Sequence, residues 1–144
     1  MKHILVIVFI LSFSMVSNHV KANEVDNTCP DYLKVTKQKL HSSKSVDLCE
    51  LTQGKPVLIV NTASNCGFTH HFEKIEALHK KYQSQGLVVI GFPSDDFFQE
   101  EDDEKETAKI CYVNYGVTFT MLSTSAVRGS DANSVFKFLG DKST

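Results

Sequence analysis

Several features are absent from this sequence, and their absence excludes whole classes of protein. The net charge is only −2, and no basic cluster is interleaved with aromatic residues, so binding to nucleic acid is not expected. Internal repeats and low-complexity segments are absent as well. The 144 residues, of which 42% are hydrophobic and 22% charged, therefore suit one compact globular domain.

The apolar run near the N-terminus is too short to cross a membrane. Lys2 precedes residues 4–16, which are apolar except for two serines, and the small residue Ala22 ends a polar stretch. This order is typical of a cleavable signal peptide, whereas a permanent anchor needs about 20 apolar residues. We therefore predict a signal peptide over residues 1–22 and a periplasmic or secreted domain over residues 23–144, with no stable membrane span after processing.

The cysteines lack the two spacings that would mark a dithiol or a zinc centre. No pair forms Cys-x-x-Cys and no zinc-ligand spacing occurs, so no metal and no cofactor is predicted. Four cysteines allow three pairings, and sequence alone does not choose among them. Because Cys29 and Cys49 both precede the first strong strand, the simplest interpretation for an exported protein is a structural disulfide between them. Closing this loop of about 20 residues would contribute about 3 kcal/mol.

Two short apolar runs predict strands that are buried within a parallel sheet. Residues 56–62 and residues 87–92 are both rich in β-branched side chains. The segment between them places apolar residues at helical spacing and ends at Gly86, a usual stop signal. The apolar face comprises Phe72, Ile75, Leu78 and Tyr82, and the other faces largely carry Glu73, Glu76, Lys80 and Lys81. Strand, helix and strand together predict a βαβ unit with a parallel pair.

The second half of the chain predicts three further elements. An acidic segment, residues 100–106, leads into a helix that ends near Asn114. That helix has Ala108, Cys111 and Tyr115 on one side. A short strand over residues 117–122 and a helix over residues 133–139 are predicted to follow.

Cys66 lies between the first predicted strand and the helix that follows it. With Thr69 as a plausible N-cap, the cysteine would precede a helix N-terminus, where the helix dipole favours a thiolate. Loops at the carboxyl ends of parallel strands are also where α/β folds place their sites. A buried, inert cysteine is the alternative, and position alone does not decide between the two.

Three motifs resemble those of one enzyme family. Residues 60–69, Val-Asn-Thr-Ala-Ser-Asn-Cys-Gly-Phe-Thr, resemble the active-site signature of glutathione peroxidases in their cysteine form. Residues 91–94, Gly-Phe-Pro-Ser, resemble the start of the second motif, and residues 114–119 resemble a third. The resemblance extends from about Leu48 to Leu139, and it implies an α/β, thioredoxin-like fold and a thiol-dependent peroxidase.

The resemblance also implies catalytic roles. Cys66 matches the residue that attacks hydrogen peroxide or an organic or lipid hydroperoxide and becomes a sulfenic acid, which glutathione or a thioredoxin-like protein then reduces. Gln99 matches the glutamine whose amide polarises the peroxide, although the chain is one residue shorter before it and Phe98 stands where glycine is usual. A surface glutamine is the alternative.

Cys111 matches the resolving cysteine of the thioredoxin-using members, which forms a disulfide with the oxidised Cys66. A core cysteine on the inner face of its helix is the alternative. The helix would have to unwind locally, and the acidic residues 100–104 bear on this in two ways. Repulsion among their like charges favours low stability there, whereas their position near a helix N-terminus favours the helix.

One departure from the family pattern is large. The family completes its site with a Trp-Asn-Phe motif, whereas this sequence has no tryptophan and stops at Thr144. We therefore expect a chain that is incomplete at its C-terminus, the alternative being a short paralogue. The strand over residues 56–62 would then be an exposed apolar edge, prone to aggregation. A general thiol–disulfide oxidoreductase or redox sensor, and an inactive fragment, are the alternative functions. A monomer is expected, because residues 123–133 lack the insertion that tetrameric relatives use.

Overall fold

The computed structural model describes residues 29–143. The predicted signal peptide, residues 1–22, lies outside this part of the chain. Within residues 29–143, no helix combines the length and the apolar character that crossing a membrane requires.

The described chain begins with a small antiparallel hairpin. Strand β1 (Thr36–Gln38) pairs with β2 (Ser45–Asp47), and the short helix α1 (Leu48–Thr52) follows at once. The carboxylate of Asp47 caps this helix by accepting a hydrogen bond of 3.0 Å from the backbone N–H of Glu50, as an N-cap aspartate does.

The βαβ unit predicted from the sequence is confirmed. Strand β3 (Val57–Thr62) is followed by helix α2 (His71–Tyr82), a 3-10 turn (Gln83–Gln85) and strand β4 (Val88–Pro93). The two strands are parallel, in a register that runs from Val57 opposite Val88 to Thr62 opposite Pro93. Gly86 ends the helical segment with φ of 94°, a left-handed conformation that glycine adopts without strain.

The buried face of α2 differs from the predicted one. Leu78, expected to face the core, is 38% exposed, whereas Glu76, expected on the polar side, is only 4% exposed. The physical reason is that the Glu76 carboxylate accepts hydrogen bonds from Thr118 and forms an ion pair with Lys80. Its charge is therefore paired even though the side chain is buried.

The second half of the chain contains the predicted helices and a shorter strand than expected. Helix α3 (Glu104–Ala108) continues directly into a π-helix (Lys109–Asn114). Strand β5 (Thr120–Met121) and helix α4 (Ser134–Lys142) follow, and Asn133 caps α4.

The strand predicted over residues 117–122 is reduced to two residues because its first half has other partners. The backbone N–H of Val117 donates to the carbonyl of Cys111 at 3.0 Å, and that of Thr118 donates to Glu76 at 2.8 Å. Only β5 is left to pair with β4.

Strand β4 is the centre of a three-stranded parallel sheet with the order β3-β4-β5. Within residues 29–143, β3 pairs with β4 alone and is an edge strand whose first five residues are half-buried. Alternate residues of β4 face opposite sides of the sheet, as the period of two requires: Val89 belongs to one apolar cluster, and Ile90 and Phe92 belong to the other.

Candidate active site

Cys66 lies in a series of tight turns between β3 and α2. The backbone N–H of Thr69 donates to the Cys66 carbonyl at 3.0 Å, and that of His71 donates to the Phe68 carbonyl at 2.8 Å. The N–H of Phe68 points at the cysteine, with 3.5 Å between its nitrogen and the Cys66 Sγ. The thiol is free and half-buried, and it is within reach of a hydrogen-bond donor that would stabilise a thiolate.

Thr69 does not cap α2 as predicted. The residue at the N-cap position is His70, which forms no side-chain capping bond. The single proton of the Thr69 hydroxyl instead has three carbonyls within hydrogen-bonding distance: that of Cys66 at 2.5 Å and those of Ala63 and Ser64, each at 3.3 Å. These acceptors lie inside the turn, so the side chain stabilises the cysteine loop rather than the helix end.

A cavity of about 140 Å³ opens beside the Cys66 thiol. Its walls combine apolar and polar residues. The lining residues include Val60, Asn61, Cys66, Phe68, Phe72 and Ile75. Because about 10–15 Å³ of such volume is enough to hold one water molecule, the cavity accommodates a small ligand.

The backbone of Gln99 is held next to the cysteine loop, but its side chain is exposed. The Gln99 carbonyl accepts a hydrogen bond of 2.8 Å from the N–H of Asn65, the residue before Cys66. The amide side chain does not line the cavity beside the thiol. Phe98, immediately before it, is 92% exposed and has φ of 57°.

Glu100 is a residue near the site that sequence analysis did not identify. Its side chain is buried, and Oε1 accepts hydrogen bonds from the Ser64 hydroxyl and from Thr107 Oγ1, the latter at 3.0 Å. The backbone N–H groups of Ser64 and Glu101 donate to the same oxygen, at 3.2 Å and 3.0 Å. In the sequence Glu100 is the first of five consecutive acidic residues, and no local signal distinguishes it from those that follow.

Cys111 is the second free thiol, and it is buried in the core. It is 1% exposed within an apolar cluster that also contains Phe72 and Val89. Burial and the negative charge of Glu100 raise the pKa of Cys111 to about 12, so the thiol is neutral at physiological pH. Its segment is π-helical, a conformation that is rare and frequently found at functional sites.

The remaining cysteines are joined to each other. A disulfide links Cys29 to Cys49, with 5.7 Å between their Cα atoms. Within residues 29–143, no group of three or more histidine, cysteine or acidic side chains is arranged to hold a metal ion.

Comparison with known proteins assigns the chain to a family. The sequence model described as glutathione peroxidase matches residues 32–140. The chain belongs to the glutathione peroxidase family. It is 47% identical over 88 residues to glutathione peroxidase-like peroxiredoxin 2 of Saccharomyces cerevisiae, covering 60% of this chain and 54% of the relative. It is 46% identical over 88 residues to a glutathione peroxidase of Lactococcus lactis, and the aligned region covers 60% of this chain and 56% of that relative.

Two solved structures share the fold of this chain. The crystal structure of Trgpx in its apo form matches with a TM-score of 0.54 at 29% identity, covering 75% of this chain and 62% of that one. A protein of Sinorhizobium meliloti 1021 matches with a TM-score of 0.55 at 21% identity. The match covers 74% of this chain and 55% of that one, and at this identity it bears on the fold alone. The fold of this glutathione peroxidase family member is therefore α/β and thioredoxin-like. The chain spans about half the length of the curated relatives it matches.

Proposed function

We propose that this protein is a thiol-dependent peroxidase in which Cys66 attacks the peroxide. The observation that carries the proposal is the free, half-buried Cys66 thiol beside a small cavity, at the carboxyl end of β3. This is the position at which parallel α/β sheets place their sites, and it lies within the region matched by the glutathione peroxidase family.

In the first step the thiolate of Cys66 attacks the distal oxygen of a hydroperoxide. The O–O bond breaks, a sulfenic acid forms at Sγ, and the proximal oxygen leaves as an alkoxide or hydroxide that takes up a proton. The thiolate required for this attack would accept a hydrogen bond from the N–H of Phe68, whose nitrogen lies 3.5 Å from Sγ, within the turns that lead into α2. Hydrogen peroxide and organic or lipid hydroperoxides share the O–O bond that this step needs.

In the second step thiols return Cys66 to its reduced form. A thiol condenses with the sulfenic acid and releases water, and a second thiol then attacks the mixed disulfide to free Cys66. Glutathione would supply both thiols. With a thioredoxin-like reductant, Cys111 would act as the first thiol and the reductant would open the resulting Cys66–Cys111 disulfide.

The proposed resolving role of Cys111 requires movement of its helix. A buried cysteine with a pKa near 12 reacts only after its segment opens to solvent. The π-helix that carries it supports this role, because such segments depart from the optimal helical geometry and recur at functional sites. Gln99 would turn its amide towards the peroxide, since its backbone already lies beside Asn65.

We also propose that the protein works outside the cytoplasm, in the periplasm or after secretion, and as a monomer. The Cys29–Cys49 disulfide supports an oxidising compartment, where such bonds persist. Fractionation of cells that express the chain, with the N-terminus of the exported form sequenced, tests this location. Recovery of the unprocessed chain in the cytoplasm contradicts it.

Peroxide consumption by the purified chain tests the enzymatic proposal. We expect hydrogen peroxide to disappear with glutathione or a thioredoxin-like protein as reductant, and a dimedone-type probe to label Cys66. Cys66→Ser should reduce consumption to the rate without protein, whereas Cys111→Ser should retain Cys66 labelling and accumulate the sulfenic acid or a mixed disulfide. Thiol–disulfide exchange without peroxide consumption would indicate an oxidoreductase or redox sensor instead, and neither activity would indicate an inactive fragment.

A further inference from the structure

A single carboxylate oxygen connects the two segments that carry the free cysteines. Ser64 lies two residues before Cys66, and Thr107 lies four residues before Cys111. The hydroxyls of Ser64 and Thr107 both donate to Oε1 of Glu100, and the Ser64 backbone N–H adds a hydrogen bond of 3.2 Å. We call this set of hydrogen bonds among Ser64, Glu100 and Thr107 the Glu100 bridge.

The Glu100 bridge is enclosed by the protein. Ser64 is 7% exposed, Glu100 8% and Thr107 1%. Hydrogen bonds to a carboxylate are stronger than those between neutral groups, and exclusion of water strengthens them further. The bridge therefore positions the cysteine loop against α3 more firmly than a surface contact would.

Burial of the Glu100 carboxylate also has a free-energy cost, which opening of this segment to water would relieve. Its second oxygen, Oε2, is buried and has no hydrogen-bond partner among residues 29–143. An unpaired buried acceptor is unfavourable, and water would satisfy it if the segment opened. Hydration of Oε2 on opening therefore offsets part of the free energy lost with the broken hydrogen bonds. For this reason the bridge can be released.

The closed arrangement keeps the two thiols in different surroundings. Cys66 borders the cavity, whereas Cys111 is buried in an apolar cluster. Phe72 belongs to both sets, lining the cavity and packing in the cluster, so its ring stands where the two regions meet. A disulfide between the thiols requires the helix around Cys111 to leave this cluster.

We propose that Glu100 is a positioning residue, and that release of the Glu100 bridge is the opening step that lets Cys111 reach oxidised Cys66. The proposal rests on the peroxidase function proposed above. In the closed state the bridge holds the Cys66 loop in place for attack on the peroxide. After the sulfenic acid forms, opening of the bridge exposes Cys111, whose thiol attacks Sγ of Cys66 and releases water.

Thr107→Val tests the bridge with little change in side-chain volume. It removes the Thr107 hydroxyl and leaves Ser64 bonded to Glu100. In the reduced protein, we expect N-ethylmaleimide to modify Cys111 about fivefold faster than in the unchanged chain, the factor that loss of one ordinary hydrogen bond implies. After one equivalent of hydrogen peroxide, the Cys66–Cys111 disulfide should form faster by the same factor. Sulfenic acid should form at Cys66 at the rate of the unchanged chain, because Ser64 still holds the Cys66 loop to Glu100.

Two matched variants separate the bridge from general destabilisation. Thr107→Ser keeps the hydroxyl and should restore the unchanged rates. Glu106→Gln alters a carboxylate on the same helix that pairs with Lys109 outside the bridge, and it should also behave as the unchanged chain. Low concentrations of urea should not change the alkylation rate of Cys111 if the opening is local.

Equal Cys111 alkylation and equal disulfide formation in the unchanged, Thr107→Val and Thr107→Ser chains would overturn the proposal. Equal acceleration by Thr107→Val and Glu106→Gln would overturn it too, because the effect would then belong to the helix rather than to the bridge. If no sulfenic acid forms at Cys66 in any of these proteins, the peroxidase function fails. The rates of Cys111 alkylation are measured without peroxide, so they still test the Glu100 bridge independently of the peroxidase function.

Discussion

Phe98 has an exposed side chain on a backbone that suits glycine. Its φ of 57° lies in the left-handed region, and the ring is 92% exposed, so no packing offsets the steric cost at Cβ. Glycine is usual at this position in the pattern that the sequence resembles, and the backbone conformation supplies the physical reason.

Replacing Phe98 with glycine should stabilise the protein. We expect Phe98→Gly to raise the free energy of unfolding by about 1 kcal/mol, because the relieved strain exceeds the added freedom of the unfolded chain. Urea denaturation measures this difference. Phe98→Ala is the matched control, since it removes the ring and keeps Cβ. An equal gain in both variants would assign the effect to the exposed ring instead.

Glu76 is a buried carboxyl whose ionised form is stabilised by its partners. Burial opposes its ionisation, but hydrogen bonds from the Thr118 hydroxyl and backbone N–H, together with Lys80, outweigh burial and lower the pKa of Glu76 below its ordinary value. A carboxyl with a lowered pKa contributes stability above its unfolded pKa and loses that contribution as the pH falls through the folded pKa.

Substitution of Glu76 should therefore have a pH-dependent cost. We expect Glu76→Gln to lower the free energy of unfolding by about 1–3 kcal/mol at pH 7, since the Thr118 N–H loses its charged acceptor. The difference from the unchanged chain should shrink as the pH falls from 5 to 3. Denaturation at several pH values measures it, with Glu73→Gln, an exposed carboxyl on the same helix, as the control. A difference that is constant with pH would contradict the assignment.

The Cys29–Cys49 disulfide ties the start of the described chain to α1. Cys29 packs against the apolar cluster that contains Ile90 and Phe92, so the bond joins the first described residues to the core beneath the central strand. In the chain-entropy treatment, the stabilisation arises because a cross-link between residues 20 apart lowers the conformational entropy of the unfolded chain.

Removing this bond should destabilise the domain without changing its fold. We expect the double variant Cys29→Ser/Cys49→Ser to lose about 3 kcal/mol in the free energy of unfolding. Guanidinium denaturation of the variant should match that of the unchanged chain under reducing conditions. If the two oxidised proteins unfold at the same denaturant concentration, the bond has no stabilising role.

The strands of the sheet differ in how far they are shielded from solvent. Strand β4 lies between β3 and β5, and its residues from Val89 to Pro93 are buried, whereas β3 has one neighbour within residues 29–143 and its first five residues are half-buried. In a parallel pair the backbone groups of alternate residues point towards the neighbouring strand. Every second N–H of β3 therefore points away from β4, towards the unpaired edge.

Amide hydrogen exchange should report this asymmetry. We expect the amides of β4 to exchange slowest in the molecule and those of β3 to alternate between slow and fast. Two-dimensional NMR at two protein concentrations measures the pattern. Uniform protection along β3 that grows with concentration would indicate that a second chain covers the edge, contrary to a monomer, and uniform protection independent of concentration would contradict the edge assignment itself.

Local sequence patterns determined the βαβ unit of this protein. Apolar runs of strand length and helical periodicity depend on neighbouring residues, so the bounds of β3 and β4 could be predicted to within one residue, and a helix could be placed between them. The stop at Gly86 and the position of Cys66 between strand and helix are local in the same sense, and the structure agrees with both.

Only the tertiary structure decided which polar groups are buried and what they bind. Glu100 meets Ser64 across 36 residues, and Glu76 meets Thr118 across 42, distances at which no periodicity in the sequence carries information. The same long-range contact with Thr118 shortened β5 and turned Glu76 inward. A buried polar group requires a partner from elsewhere in the chain, and folding alone brings that partner into reach.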